Sequence, residues 1–92
     1  MNTAAKGRRN EHRSMQLFVA LGYTCIRSAA SKGLFDFVAL GAQDIACVQV
    51  KSTEWPRPAE IEALQLLRVP ANVRKIVHRW RPRQRLPDVR EV

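Results

Sequence analysis

Three polar side chains in the middle of the chain have the types and spacing of a cation site. Two apolar segments flank the turn-forming sequence Gly41–Asp44, which predicts a β-hairpin. In a symmetric hairpin Asp36 faces Gln49, and side-chain alternation places Lys51 on the same face of the sheet. Burying a carboxylate, an amide oxygen and an ammonium in an apolar layer is costly unless a cation or a charged partner compensates. The hairpin is therefore predicted to hold a cation.

Glu11 is a candidate third participant. A helix is predicted at Lys6–Leu21, because apolar residues recur at helical spacing and Gly22 is a typical C-terminal stop. Glu11 lies at the N-terminal end of the inward-facing stripe of this helix. It is either a surface residue that complements the helix dipole or a carboxylate directed at a site. The helix pattern leaves both alternatives open.

The elements that must position these residues predict one α/β domain over residues 1–92. Strands are predicted at Tyr23–Arg27, Phe35–Leu40, Ile45–Ser52 and Val73–Trp80, and a second helix between Pro58 and Pro70. The expected fold is a mixed four-stranded sheet flanked by helices, in the order α-β-β-β-α-β. Residues 1–5 are predicted to be a disordered start and residues 82–92 a polar, basic tail. His12 and His78 have no partner at metal-ligand spacing and are predicted to lie on surfaces.

The charge balance indicates a polyanionic partner. The 92 residues contain 16 Lys plus Arg against 8 Asp plus Glu, for a net charge of +8. The basic residues cluster near both ends of the chain, and a merely solubilising surface is the alternative. No segment has the length of a membrane span or the apolar core of a signal peptide, so we expect a cytoplasmic protein with no membrane partner.

The ordered set of motifs resembles the PD-(D/E)xK nuclease superfamily. The matching residues are Glu11 in the first helix, Ser31-x-Gly33-x-x-Asp36, and Gln49-Val50-Lys51. Within that superfamily the chain resembles the small archaeal-type Holliday junction resolvases, which also occur in bacteria and their viruses. The resemblance covers about residues 6–80. It implies a restriction-endonuclease-like core and favours a site role for Glu11.

The resemblance also implies an activity, a cofactor and roles for individual residues. The expected enzyme is a homodimeric hydrolase that nicks branched DNA in pairs during recombination and repair. Mg²⁺ or Mn²⁺ is expected to bind the ligand set Glu11, Asp36, the Gln49 side-chain oxygen and the Val50 carbonyl. Lys51 is expected to position and help deprotonate the attacking water, and Ser31 to contact the scissile phosphate. The residues expected to contact DNA are Lys6, Arg8, Arg9, Arg13, Arg27, Lys32, Arg57 and Arg79.

One position departs from the family pattern. The superfamily usually has Glu or Asp two residues before the lysine, whereas this chain has Gln49. An amide oxygen can ligate a hard cation but carries no negative charge. Some active members have Gln at this position. Two alternatives to a junction resolvase follow: an endonuclease that nicks duplex or flapped DNA, and a module that binds junctions without cutting them.

Overall fold

A mixed sheet of five strands forms the centre of the protein. The structure, a computed structural model, describes the backbone of residues 3–28 and 33–92 and the side chains of residues 7–28 and 33–92. The elements are α1 (Thr3–Ala20), β1 (Thr24–Arg27), β2 (Phe37–Leu40), β3 (Ile45–Ser52), α2 (Pro58–Leu66), β4 (Val73–Trp80) and β5 (Asp88–Glu91). The strands lie in the order β1-β2-β3-β4-β5, and only β3 and β4, joined through α2, pair in parallel. The mixed α/β fold and the central position of β3 are as predicted.

The ends of both helices follow from local sequence. The backbone N–H of Gly22 donates to the carbonyl of Val19 and that of Tyr23 to Phe18, both at 3.0 Å, which is the Schellman pattern. Gly22 has φ of +95°, a conformation that glycine adopts without strain. Pro58 begins α2, where its missing N–H would have no helical partner. The predicted start of α1 is wrong, because the helix begins at Thr3 and includes residues 3–5, which were expected to be disordered.

The predicted hairpin register is confirmed within the strands and changes at their end. Leu40 pairs with Ile45 and Phe37 with Val48, as a symmetric loop requires. The next residue, Asp36, donates its backbone N–H to the Val48 carbonyl at 2.8 Å, so β2 begins at Phe37 instead of Phe35. The expected direct pairing of Asp36 with Gln49 is therefore not a ladder pair. This offset directs the Asp36 carboxylate toward the backbone of β3.

The two helices cover opposite faces of the sheet. One face carries the core cluster of Phe18, Phe37, Ala39, Ala46, Val48 and Ile76, to which α1 contributes Phe18. Alternation places Gln49 and Lys51 of β3 on the other face. On that face Lys51 Nζ lies 3.9 Å from Glu60 Oε2 of α2, which buries Ile61 and Leu64. The polar side chains of β3 therefore lie under α2, away from the main core.

A buried polar cluster joins α1 to β4. The indole N–H of Trp80 donates to Ser14 Oγ at 2.8 Å, and the same oxygen lies 2.9 Å from His78 Nδ1. His78 is 4% exposed and its ring stacks on Phe18 at 5.6 Å between centroids. The surface role predicted for His78 is therefore wrong, whereas His12 is exposed as predicted. Burial lowers the pKa of His78 to about 4, because the charged imidazole would lose its hydration.

The fifth strand was not predicted, and it corrects the expected four-stranded sheet. Residues 82–92 were expected to be a polar tail, but β5 pairs antiparallel with β4. Ion pairs fasten it, since Arg79 Nη2 lies 2.7 Å from Asp88 Oδ2 and Arg74 Nη2 lies 2.8 Å from Glu91 Oε1. The element order is therefore α-β-β-β-α-β-β.

Lys75 closes the C-terminal end of α2, and its replacement by Met is expected to destabilise the fold. Its ammonium donates to the carbonyls of Leu64, Gln65 and Leu67 at 2.5, 3.2 and 3.0 Å. Hydrogen bonds to charged groups contribute about 1.5–3 kcal/mol. We expect Lys75→Met to lower the free energy of unfolding by roughly this amount in urea titrations. The control is Arg68→Met at an exposed position just beyond the same helix, and equal stability of the two variants would contradict the prediction.

Candidate functional site

Asp36 is held at the point where β2 begins. Its side-chain Oδ2 accepts a hydrogen bond of 2.7 Å from the backbone N–H of Val50. Its backbone carbonyl accepts a second hydrogen bond from the N–H of Ser28 at 2.9 Å. The regular ladder has ended at Phe37, so the carboxylate takes the place of the next β2 carbonyl. This geometry fixes a partly buried carboxylate beside the C-terminal half of β3, the central strand.

Glu11 of α1 lies close enough to Asp36 for the two charges to interact. Its carboxylate is only 19% exposed, and its Oε2 lies 3.9 Å from Arg27 Nη2 at the end of β1. Burial raises the pKa of Glu11, and the negative charge of Asp36 raises it further. The cations of Arg27 and Arg8 act in the opposite direction. Two carboxylates from distant parts of the chain thus converge, and Glu11 is not the solvated surface residue of the alternative interpretation.

The pKa of Asp36 is also raised, chiefly by burial. The N–H of Val50 and the positive charges of Lys51 and Arg27 partly offset that effect because they stabilise the carboxylate form. Lys51 is thus close enough to Asp36 to affect its ionisation. A carboxylate pair that is partly desolvated in this way gains from any cation placed between its members.

Gln49 contributes a buried oxygen with no protein partner. Its side-chain Oε1 has no hydrogen bond within the part of the chain that the structure describes. An unpaired buried carbonyl oxygen costs about 1–3 kcal/mol, so such an atom calls for an explanation. Gln49 stands two residues before Lys51 on the same face of β3. Its unpaired oxygen is free to accept a bond from a group that the described residues do not supply.

The donor atoms of these residues are of the type that suits a hard divalent cation, but α1 carries Glu11 on one face of the sheet and Gln49 lies on the face under α2. Carboxylate oxygens of Glu11 and Asp36, the free amide oxygen of Gln49 and a backbone carbonyl are the donors that Mg²⁺ and Mn²⁺ prefer. Within the described ranges, no three His, Cys, Asp or Glu residues group closely enough to hold a metal ion. The donor set is correspondingly low in charge, with two carboxylates.

The other residues predicted to touch phosphate or DNA occupy varied positions. Ser31 and Lys32 lie outside the described residues, and Lys6 is described only as part of the α1 backbone. Arg8, Arg9 and Arg57 are exposed, as a contact with DNA requires. Arg79 is instead engaged by Asp88, at 2.7 Å, and its guanidinium lies 4.5 Å from the centroid of the Trp55 ring. Arg79 would have to leave these contacts to reach DNA.

Tertiary structure adds neighbours that the sequence did not indicate. Arg27 was predicted to contact DNA, but it lies beside Glu11, and Glu60 approaches Lys51. Asn10, adjacent to Glu11, is 4% exposed and donates to Ser52 Oγ at 2.7 Å, which fixes α1 on the end of β3. None of these pairings has a local sequence signal, because each joins residues of two different elements.

Comparisons with known proteins identify the fold. Neither protein-family models nor curated protein sequences match this chain. Among solved structures it is similar to Archaeoglobus fulgidus Hjc, a Holliday junction resolvase from an archaeal hyperthermophile. The similarity has a TM-score of 0.68 and 24% identity, and covers 94% of this chain and 70% of that one. No helix within the described residues is long and apolar enough to cross a membrane. At this identity the likeness establishes that the chain has an Hjc-like α/β fold.

Proposed function

We propose that this protein is a metal-dependent endodeoxyribonuclease that resolves four-way DNA junctions by paired nicks. The observation that carries the proposal is the convergence of Glu11 and Asp36, from α1 and the start of β2, beside Lys51. The orphan oxygen of Gln49 and the similarity of the fold to that of Hjc support it.

Each residue of the site has a distinct role in this proposal. Glu11, Asp36, Gln49 Oε1 and the Val50 carbonyl would hold Mg²⁺ or Mn²⁺, which when bound supplies positive charge for the phosphate and for the attacking water. Lys51 holds the attacking water and offsets the negative charge that develops on the phosphoryl oxygens. The guanidinium of Arg27, at the end of β1, lies beside Glu11 and offsets its negative charge. The hydrolysis breaks one P–O ester bond as the bond from the water oxygen forms.

The net charge of +8 provides the attraction for the DNA backbone, which is sequence-independent. Two nicks at symmetry-related positions require two active sites, so the proposal includes a homodimer. The partner is branched DNA, recognised by the spacing of its phosphates and not by its bases.

A second candidate function is junction binding without cleavage. It is favoured by the low charge of the donor set, since the described residues contain no third carboxylate beside Glu11 and Asp36. A third is nicking of ordinary duplex or flapped DNA by the same site. Incubating the protein and Mg²⁺ with a four-way junction, and separately with duplexes of the same arm sequences, distinguishes them. Our proposal predicts nicks in the junction and little in the duplexes; equal cutting would favour the third function, and tight binding without product the second.

The role of Gln49 leads to a prediction that does not depend on activity alone. Gln49→Leu removes the unpaired oxygen at similar volume, so we expect it to raise stability without metal by roughly 1 kcal/mol or more. Because the ligand is lost, Mg²⁺ should raise the melting temperature of the unmodified protein but not of Gln49→Leu. The cleavage of the variant should need more Mg²⁺ or disappear.

Gln49→Glu tests the same role by adding a negative charge, whereas Gln49→Leu removes the oxygen. It adds a third carboxylate at nearly the same volume, so the Mg²⁺ concentration for half-maximal cleavage should fall. Without metal the same change should destabilise the fold, because it adds a charge beside two carboxylates whose pKa values are already raised. Identical metal dependence in the unmodified protein and Gln49→Leu would remove Gln49 from the ligand set.

A further inference from the structure

A cavity on the opposite side of α1 from Glu11 is lined by four arginines. It has a volume of about 240 Å³, and Arg9, Arg13, Arg81 and Arg83 surround it together with Asn10 and Trp80. Ligand pockets for drug-sized molecules begin near about 300 Å³, so this cavity suits a smaller group. A small cavity bordered by four guanidinium groups is suited to an inorganic or ester-linked anion.

The charges around the cavity are largely uncompensated. Arg81 Nε lies 3.1 Å from Asp88 Oδ2. Within the described residues, Arg9, Arg13 and Arg83 have no carboxylate within ion-pair distance. Guanidinium groups gathered around one cavity repel one another, and an anion between them would relieve that repulsion. Their planar forks match the oxygens of a phosphate group.

Arg13 is fixed in place before any ligand arrives. Its guanidinium lies 3.9 Å from the centroid of the Trp80 ring, and its Nη2 donates to the Gln84 carbonyl at 2.7 Å. Its Nη1 is 3.4 Å from Asn10 Oδ1, and Asn10 is itself anchored to Ser52. These contacts use two of the five N–H groups of the side chain. An arginine held this firmly loses little conformational entropy on binding an anion.

Arg83 occupies a backbone position that disfavours its side chain. Its φ is +66°, a left-handed conformation that glycine or asparagine adopts at lower energy, and Pro82 precedes it as in a type II turn. The turn is also braced, because Gln84 Oε1 accepts from the N–H of Arg81 at 2.8 Å. The turn would form more easily with glycine at position 83, so the arginine contributes something other than local stability.

The cavity is separate from the carboxylate site. Arg9 and Arg13 are one helical turn apart on α1, whereas Glu11 lies two residues from each and faces the other way. Trp80 belongs to β4, and Asp36 precedes β2, two strands away. At about 4.8 Å per strand, that places the two sites on the order of 10 Å apart. A ligand in the cavity therefore does not compete with one at Asp36.

We propose that the arginine cavity binds a backbone phosphate of the DNA at a position a few nucleotides away from the cut. The proposal rests on the proposed function only in naming DNA as the source of the phosphate. A phosphate held there fixes the register of the DNA strand relative to the protein, and so which ester bond meets Lys51.

The first arm of the test uses inorganic phosphate and no DNA. Amide spectra of ¹⁵N-labelled protein are recorded during a phosphate titration at constant ionic strength. We expect saturable shifts at the amides of Arg81, Arg83 and Gln84 that disappear at positions 81 and 84 in the double variant Arg9→Gln/Arg83→Gly. The control Arg68→Gln/Arg90→Gln removes the same charge at exposed positions outside the cavity and should keep the shifts. Shifts spread over all exposed arginines and equal in both variants would overturn the cavity as a phosphate site.

The second arm measures duplex DNA affinity against salt concentration for the same three proteins. Loss of one phosphate contact should reduce the slope of log K against log salt by about 0.9 in the cavity variant, with the slope of the control unchanged. If phosphate shifts the amide signals of the unmodified protein, but the two variants have equal slopes of log K against log salt, the DNA backbone is not the ligand of the cavity. Absence of DNA binding by the unmodified protein would refute the proposed function while the phosphate titration still decided the cavity. Because Arg83→Gly relieves a strained backbone, equal or higher melting temperatures show that lost binding is not lost folding.

Discussion

Replacing Asp36 by Asn is expected to abolish cleavage and to leave the fold intact. The amide oxygen of Asn can still accept the hydrogen bond from the N–H of Val50, so the start of β2 keeps its anchor. The substitution removes a carboxylate that burial already destabilises, as its raised pKa shows, so stability at neutral pH should be equal or higher. The lost charge should lower the cleavage rate by at least about 100-fold.

Single-turnover cleavage of a junction, paired with urea unfolding, checks both parts of this prediction. Glu62→Gln on the exposed side of α2 makes the same change in charge and should cut at the rate of the unmodified protein. Normal cutting by Asp36→Asn would exclude Asp36 from the site. Loss of cutting together with a large loss of stability would mean that Asp36 acts as a structural anchor.

Acidification is expected to remove about 3 kcal/mol of stability through His78 alone. The pKa of His78 is lowered from 6.5 to about 4 in the folded protein, so between these values the unfolded chain binds the proton more readily. The contribution of the neutral, buried His78 to the free energy of unfolding is therefore fully present above pH 6.5, falls as pH decreases, and is lost by about pH 4. Protonation would place a charge between Phe18 and the hydroxyl of Ser14, where no carboxylate partner is described.

His78→Gln isolates this effect, because glutamine does not titrate and its oxygen can accept from Ser14. Glu11 and Asp36 act in the opposite direction, since acids with raised pKa values favour the folded state as pH falls. Their contribution is common to both proteins and cancels in the difference. The free energy of unfolding of the unmodified protein should thus fall more steeply between pH 6.5 and 4 than that of His78→Gln. Parallel curves would mean that the imidazole reaches solvent in the native state.

The parts of the structure that were predictable have local causes. The four-residue turn sets the register of Leu40 with Ile45, and Gly22 ends α1 through a positive φ; both need only neighbouring residues. The same hairpin places Gln49 and Lys51 on one face of β3. Glu11 could not be placed from local sequence, because a carboxylate at a helix start also suits a solvated surface, and only the resemblance to a nuclease family favoured an inward role.

The parts that escaped prediction depend on contacts across the chain. β5 has no apolar alternation, since only Val89 of its four residues is apolar and that side chain is exposed. The strand is recognised through its pairing with β4 and the ion pairs of Asp88 and Glu91. His78 is buried because Ser14 and Trp80 meet it in space, and a histidine in a strand gives no sign of such partners. The offset at Asp36 likewise arises where the pairing of β2 with β3 ends. The spacing of apolar residues along the chain does not indicate where such a pairing ends.

Mapping the nicks in a four-way junction tests whether Glu11, Asp36 and Lys51 form a metal-dependent nuclease site. Each strand of the junction is labelled in turn, and the products are resolved at single-nucleotide length with Mg²⁺ or with a chelator. The convergence of Glu11, Asp36 and Lys51 predicts Mg²⁺-dependent nicks at symmetry-related positions in two opposing strands, absent with chelator and absent for Asp36→Asn. A folded, junction-bound protein that gives no product with Mg²⁺ or Mn²⁺, or that cuts equally well with chelator, would contradict the account.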